Sequence, residues 1–367
     1  MFIDDHVIFL ALYLSEVIAL RIYSIDFIKI LSIYLVIVSH VTLYFLLQSP
    51  EDFGALAARQ LGQFGVVMFY MASGYFLLNN RHSDQFSYAY NKAKNVGIAL
   101  IFWLSFYYVY DNFFIASFTE VEHHDFLAFI NLDTCMSDAS HLWFLFSIIN
   151  LYFLLPLLRF AFVKTQQKML TNVIAALFVI ANVSLVEKVL NAALGIADVI
   201  HPALLMSSQI TGLLSFLLGG YLGLFFQPRH LSGRLTGGML LLAIASFTLL
   251  VVLTQRWGID FFYGKTYNLF LQVSAVSVFV LLLCSRVGRL EKMISHVGSK
   301  TLGIYLVHNI FIMEINGGWI HHTLYPKFRF LSAYGYIFCY SLLAFIASYL
   351  LCCLLSQSRW LNKLISL

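Results

Sequence analysis

The chemistry in this sequence is concentrated in a few polar residues set among apolar ones. The run Ser24-Ile-Asp-Phe-Ile-Lys-Ile-Leu-Ser-Ile-Tyr-Leu-Val-Ile-Val-Ser-His40 carries three ionisable side chains, Asp26, Lys29 and His40. At 3.6 residues per turn, Lys29, Ile33, Val36 and His40 fall on one stripe, with Asp26 one turn below Lys29 and able to pair with it. A neutral imidazole, with its ordinary pKa of about 6.5, can take a proton from a hydroxyl as a general base. A histidine that only hydrogen-bonds a neighbouring helix fits His40 equally well.

Two further segments bring histidines. His141-Leu-Trp143 opens an apolar block; Trp143 itself reads as a residue of the aromatic belt at a membrane surface. A later block holds Tyr305, His308 and Glu314, with His308 about 12 Å from the block's start at Lys300. Bonding within the bundle or lining of a pathway would suit these. Ser73-Gly74-Tyr75 offers a small pair at which helix backbones approach closely, so packing is its first reading. The five cysteines lack metal-ligand spacing, so neither a metal nor a bound cofactor is expected.

The elements that position these residues follow from composition. The chain is 60% hydrophobic and only 11% charged, too few polar residues to cover a soluble globule. Its apolar residues come in blocks near the roughly 20 that a bilayer-spanning helix needs. Ten such blocks run over residues 24–47, 60–78, 95–118, 141–163, 169–187, 203–226, 235–254, 267–285, 299–316 and 331–356. The fold class is therefore all-α, a polytopic transmembrane bundle of about ten spans.

Of the 22 lysines and arginines, fifteen fall in one alternating set of loops and ends, six in the other, and Lys29 within the first block. Cytoplasmic loops retain positive charge, so both termini are expected in the cytoplasm. The third loop agrees: Glu120, Glu122, Asp125, Asp133 and Asp138 stand there without a Lys or Arg. In this orientation His40, about 24 Å along its helix from Ser24, lies towards the outside. Residues 1–20, with Asp4, Asp5 and Glu16 around a short apolar run and no basic start, read as an interfacial leader rather than a signal peptide. Residues 21–367 read as one transmembrane domain. The net charge of +4 is scattered, so nucleic acid is not an expected partner.

Four segments, in order, resemble the acyltransferase family 3 proteins, integral membrane O-acyltransferases of bacteria that modify surface glycans. They are Ser24 to His40; Gly65-Val-Val-Met-Phe-Tyr-Met-Ala-Ser-Gly-Tyr-Phe-Leu-Leu78; His141-Leu-Trp-Phe-Leu145 leading to Leu154-Leu-Pro-Leu-Leu158; and Gly298 to His308, ending in Tyr-Leu-Val-His. The likeness is to short stand-alone members of the enterobacterial common antigen O-acetyltransferase type, without an added periplasmic domain.

The resemblance implies transfer of an acetyl group (an EC 2.3.1 reaction) from cytoplasmic acetyl-CoA to a hydroxyl of a surface polysaccharide or its lipid-linked precursor, in the inner membrane. In that resemblance His40 matches the essential histidine, with His141 a second catalytic candidate. Lys29, Arg81, Lys92 and Lys94 would meet the donor at the basic face, with Asp26, Ser73, Tyr75, Tyr305 and His308 on its path. Lys29 stands where the family usually has arginine, and Lys92-Ala-Lys94-Asn95 replaces an Arg-x-x-Arg. Lysine keeps the charge but loses the bidentate fork. The rival from another class is a secondary transporter or exporter, in which the same buried histidines would relay protons.

Overall fold

The computed structural model describes residues 5–48, 52–114, 125–130, 138–196, 208–226, 231–257, 269–285, 288–317 and 333–366. The acidic residues Glu120, Glu122 and Asp133, and the polar stretch dividing residues 169–226, lie outside them. Among the described residues every regular element is helical. In chain order these are α1 (Asp5–Gln48), α2 (Phe53–Leu77), α3 (Gln85–Val109), the short α4 (Phe126–Ile130), α5 (Trp143–Lys164), α6 (Gln167–Leu194), α7 (Ser208–Phe225), α8 (Gly233–Trp257), α9 (Leu269–Leu283), α10 (Glu291–Gly298), α11 (Thr301–Gly317), α12 (Ala333–Leu355) and α13 (Arg359–Ile365). A π turn at Tyr110–Phe114 closes α3, and a 3₁₀ turn at Asp138–Leu142 leads into α5.

In their described residues the ten apolar blocks lie on helices, but the helices differ in kind. Five described stretches are long and apolar enough to cross a membrane: Tyr23–Leu43, Gln85–Phe113, Ala139–Lys164, Gly233–Trp257 and Tyr334–Leu355, with a sixth if α9 and the bent segment after it form one span. Three apolar stretches are shorter: Gln167–Val183, Ile210–Phe225 and Thr301–Ile312. The chain is a multi-pass helical membrane protein. The leader expected before residue 21 is helical from Asp5 and continuous with the first span, in one helix of 44 residues.

Helix α2 is not among the five because it carries Arg59, Gln60, Gln63 and four glycines. It can carry them because protein surrounds it. Towards α1, Gly62 faces Ser39 and Gly65 meets the Ser32 carbonyl; towards α7, Gly74 meets the Phe216 carbonyl while Gly219 meets that of Met71. A Cβ at these last two positions would strike backbone, so only glycine permits the approach. Gly219 and Gly223 stand four apart, the small-residue spacing of tightly crossing membrane helices. The α8 span, with 17% of its most apolar window buried against 67% for the α1 span, is instead a peripheral helix, and accordingly apolar around most of its surface.

Contacts between segments define one end of the bundle. Ser24 donates to the Ser285 carbonyl, Asp26 sits against Gly298, Arg159 donates to the Asn80 carbonyl and Asn79 to that of Gly220. Towards the other end, Tyr334 bonds Asp52. Such pairing requires α2, α5, α7, α9 and α12 to run in one direction and α1 in the other. Gly219→Val is expected to destabilise the fold by on the order of 1–3 kcal/mol. The check is the melting temperature of the full chain in detergent, with Gly237→Val, which has open space around its added atoms, as the control that should not move.

Candidate active site

The first helix is built to hold polar side chains. The hydroxyls of Ser32 and Thr42 donate to the carbonyls of Ile28 and Val38 one turn back, at 2.7 and 2.5 Å, which satisfies them without help from another helix. Asp26 and Lys29 form the expected pair at 2.6 Å, and the Lys29 ammonium lies 5.9 Å above the ring of Phe76. Between the two ends of the stripe, Ile33 and Val36 are buried. His40 closes the stripe and is half-buried.

Around His40 three segments far apart in sequence converge. The His308 imidazole lies 5.4 Å from it, centroid to centroid, and 5.0 Å from that of His141. His141 and His308 are almost completely buried. The 3₁₀ turn brings His141 in, held by its backbone: the Tyr305 hydroxyl donates to the His141 carbonyl. The Tyr107 ring packs 5.1 Å from the His141 ring, and its hydroxyl donates to the Leu306 carbonyl at 2.8 Å. His308 donates from Nδ1 to the Tyr305 carbonyl at 2.6 Å. Beside Tyr305, Phe144 leads to Tyr70 of α2, whose hydroxyl reaches Ser147 of α5 at 2.6 Å.

Not all expected site residues join this cluster. Ser73 and Tyr75 flank Gly74 at the α2–α7 crossing, nearer the Lys29 end: Tyr75 is buried edge-on against Phe76, 5.8 Å away. Arg81 and Lys94 are exposed. Lys92 helps line an open hollow of about 370 Å³ with His82, Asp84, Tyr88 and neighbouring polar residues. There His82 stacks on Tyr88 at 4.2 Å, and Lys92 lies 6.0 Å over the Tyr88 ring. Among the described residues no cluster has the arrangement of a metal site. Trp143 points outward and is exposed; the side chain of Glu314 lies outside the described residues.

Three residues escaped the sequence reading. Arg59, counted as a loop charge, donates to the carbonyl of Ser39, next to His40. Arg159, also counted as a loop charge, reaches the Asn80 carbonyl through Nε and Nη2 at 3.2 and 2.9 Å, beside the turn that lines the hollow. Asp111, hidden in an apolar block, is a buried carboxyl in the π turn after α3; π turns occur often at functional sites. An arginine at the edge of a block and an acid within one were the available signals.

The family model of the acyltransferase domain, acyltransferase 3, matches residues 22–357, from the start of the Asp26 and Lys29 turn to the end of α12. The chain belongs to acyltransferase family 3. No curated protein and no solved structure matches it. As an acyltransferase it moves an acyl group between carriers, so the transporter reading is set aside. The match spans all three histidine-bearing segments and both ends of the α1 stripe.

In this acyltransferase the Asp26–Lys29 pair is largely withdrawn from water, with side-chain exposures of 10% and 25%. Removing one partner of such a pair costs more than removing both, because the survivor is left charged without compensation. Lys29→Ala is therefore expected to lower stability by on the order of 2 kcal/mol, and Asp26→Asn together with Lys29→Ala to recover most of it. Thermal melts of the two variants and the parent check this; equal loss in both would contradict the pairing.

Proposed function

We propose that the chain is a membrane O-acyltransferase that moves an acyl group, in the simplest case acetyl, from a cytoplasmic acyl-CoA to a hydroxyl of a surface polysaccharide or its lipid-linked precursor. The observation that carries this reading is the convergence of His40, His141 and His308 at one level of the bundle, well above the Asp26–Lys29 pair on the same helix. From residue 26 to residue 40 the rise is about 21 Å, so the charged end and the histidine end of α1 face different parts of the bilayer.

With ten crossings and both termini in the cytoplasm, as the loop charges favour, the end bearing Lys29, Arg81, Lys92 and Lys94 faces the donor's phosphates. The lysines supply point charges there, and Arg159 supplies a guanidinium at the same end. The histidine end then faces the acceptor. His40 is the half-buried member of the cluster and so the one an incoming hydroxyl can reach. It accepts the hydroxyl proton as the oxygen attacks the thioester carbonyl; the C–O bond forms, the C–S bond breaks, and the proton passes to the leaving sulfur. His141, anchored through its carbonyl, shapes the wall of the site. Tyr305 ties the His141 and His308 segments together. The ordered motif segments put an acceptor of the enterobacterial common antigen type within this reading. The setting is a bacterial inner membrane.

Labelled acetyl-CoA supplied to inside-out vesicles carrying the full chain is expected to label the host's envelope glycan. His40→Ala should reduce the label by 10²- to 10⁴-fold, the usual contribution of a general base, with membrane insertion unchanged. Wild-type labelling by that variant would overturn the role of His40, and label entering only from donor on the opposite face would overturn the orientation. The Asp26→Asn, Lys29→Ala double variant should regain stability but not donor affinity, seen as a raised KM for acetyl-CoA.

A further inference from the structure

The tautomer of His308 is fixed by its surroundings. A carbonyl oxygen can only accept, so the 2.6 Å contact between His308 Nδ1 and the Tyr305 carbonyl places the ring proton on Nδ1. The neutral ring then has a bare lone pair on Nε2. That atom is fully buried and has no hydrogen-bond partner among the described residues. A buried acceptor left unsatisfied is costly and calls for a reason.

Two imidazoles adjoin it. His141 meets the His308 ring at 82°, an edge-to-face packing contact, and is itself buried. His40 is tilted by 53° at 5.4 Å and has no hydrogen bond among the described residues. At that separation the two rings come within reach of an N–H···N bond of about 3 Å once His40 turns towards the plane of its neighbour. His40 keeps some exposure where His308 has none.

We propose that His308 is the positioning residue of His40: its Nε2 accepts the N–H of His40 when substrate is seated, which leaves the other His40 nitrogen as the lone pair facing the acceptor hydroxyl. The inference rests on the acyl-transfer reading above. During transfer the hydroxyl proton moves to that free nitrogen. His40 then carries two N–H groups, one held by His308 Nε2 and one facing the reacting atoms. As the C–S bond breaks, the latter proton goes to the thiolate, His40 returns to its neutral form, and His308 keeps its own proton throughout. The Tyr305 carbonyl thus sets, through His308, which nitrogen of His40 is basic.

The test uses two isosteric substitutions in the full chain in membranes, with acetyl-CoA as donor and host envelope glycan as acceptor. His308→Asn puts an amide near the Nδ1 position, keeping the bond to the Tyr305 carbonyl but removing the acceptor. His308→Gln puts a carbonyl oxygen near the Nε2 position. The expected result is that His308→Asn lowers kcat at least tenfold with KM for acetyl-CoA unchanged, while His308→Gln recovers to within a few-fold of the parent. Parental kcat in His308→Asn, or an equal loss in both variants, would overturn the proposal. Parental activity in His40→Ala would instead sink the underlying reading, so the two failures are distinguishable.

Discussion

A polar group inside a helix bundle that faces lipid must find its partners in protein, because hydrocarbon offers none. Many buried serines and threonines meet that constraint within their own helices: Ser32, Thr42, Ser215, Thr254, Ser341 and Ser348 all donate to the carbonyl one turn back, while Ser24 and Ser274 also reach the carbonyls of Ser285 and Ala243 in other segments. Around the histidines the ties between segments come from tyrosines, whose hydroxyls stand far enough from the backbone to reach a neighbour. Tyr70 bonds Ser147, Tyr107 bonds the Leu306 carbonyl and Tyr305 bonds that of His141. All three end on, or beside, the segments that carry His141 and His308. The histidine cluster therefore depends on a small set of tyrosine bonds.

Those bonds act at short range, so the helices must first be close. Glycine supplies this at the centre. Helix α2 lies between α1 and α7 with backbones in contact on both sides, at Gly65 with Ser32 and at Gly74 and Gly219 with the carbonyls of Phe216 and Met71. The central position also accounts for what α2 carries. Arg59 can stand beside the His40 turn, and Gln60 can be buried, because neither faces lipid. Peripheral α8, by contrast, has no charged or amide side chain between Thr236 and Thr254.

How far the site was legible follows from what periodicity encodes. Spacing along one helix determines neighbours on that helix, so the Asp26–Lys29 pair and the stripe up to His40 could be read directly. Which helix packs on which is a matter of surface shape and of groups dozens of residues away. The meeting of His40, His141 and His308 could therefore be approached only piecemeal, as His40 expected towards the outside and His141 at the opening of another block. Counting rise along straight helices even set His308 about 12 Å from its end and His40 about 24 Å from its own; the helices do not start at one level, and the rings meet. The α2 block was read as an ordinary span because hydropathy does not distinguish lipid from a protein neighbour. Resemblance of ordered motifs reached the family, which spacing alone did not.

In the proposed reaction α1 has two working ends, a charged turn for the donor and a histidine, oriented by a second, for the acceptor, and the acyl group is delivered to a glycan hydroxyl. The most direct measurement is mass spectrometry of the surface polysaccharide from cells with and without the gene. Without the gene the repeat unit is expected to lose the mass of an ester-linked acyl group, and the intact gene to restore it. A repeat unit of unchanged mass, with the protein present in the parent membrane, would contradict that delivery.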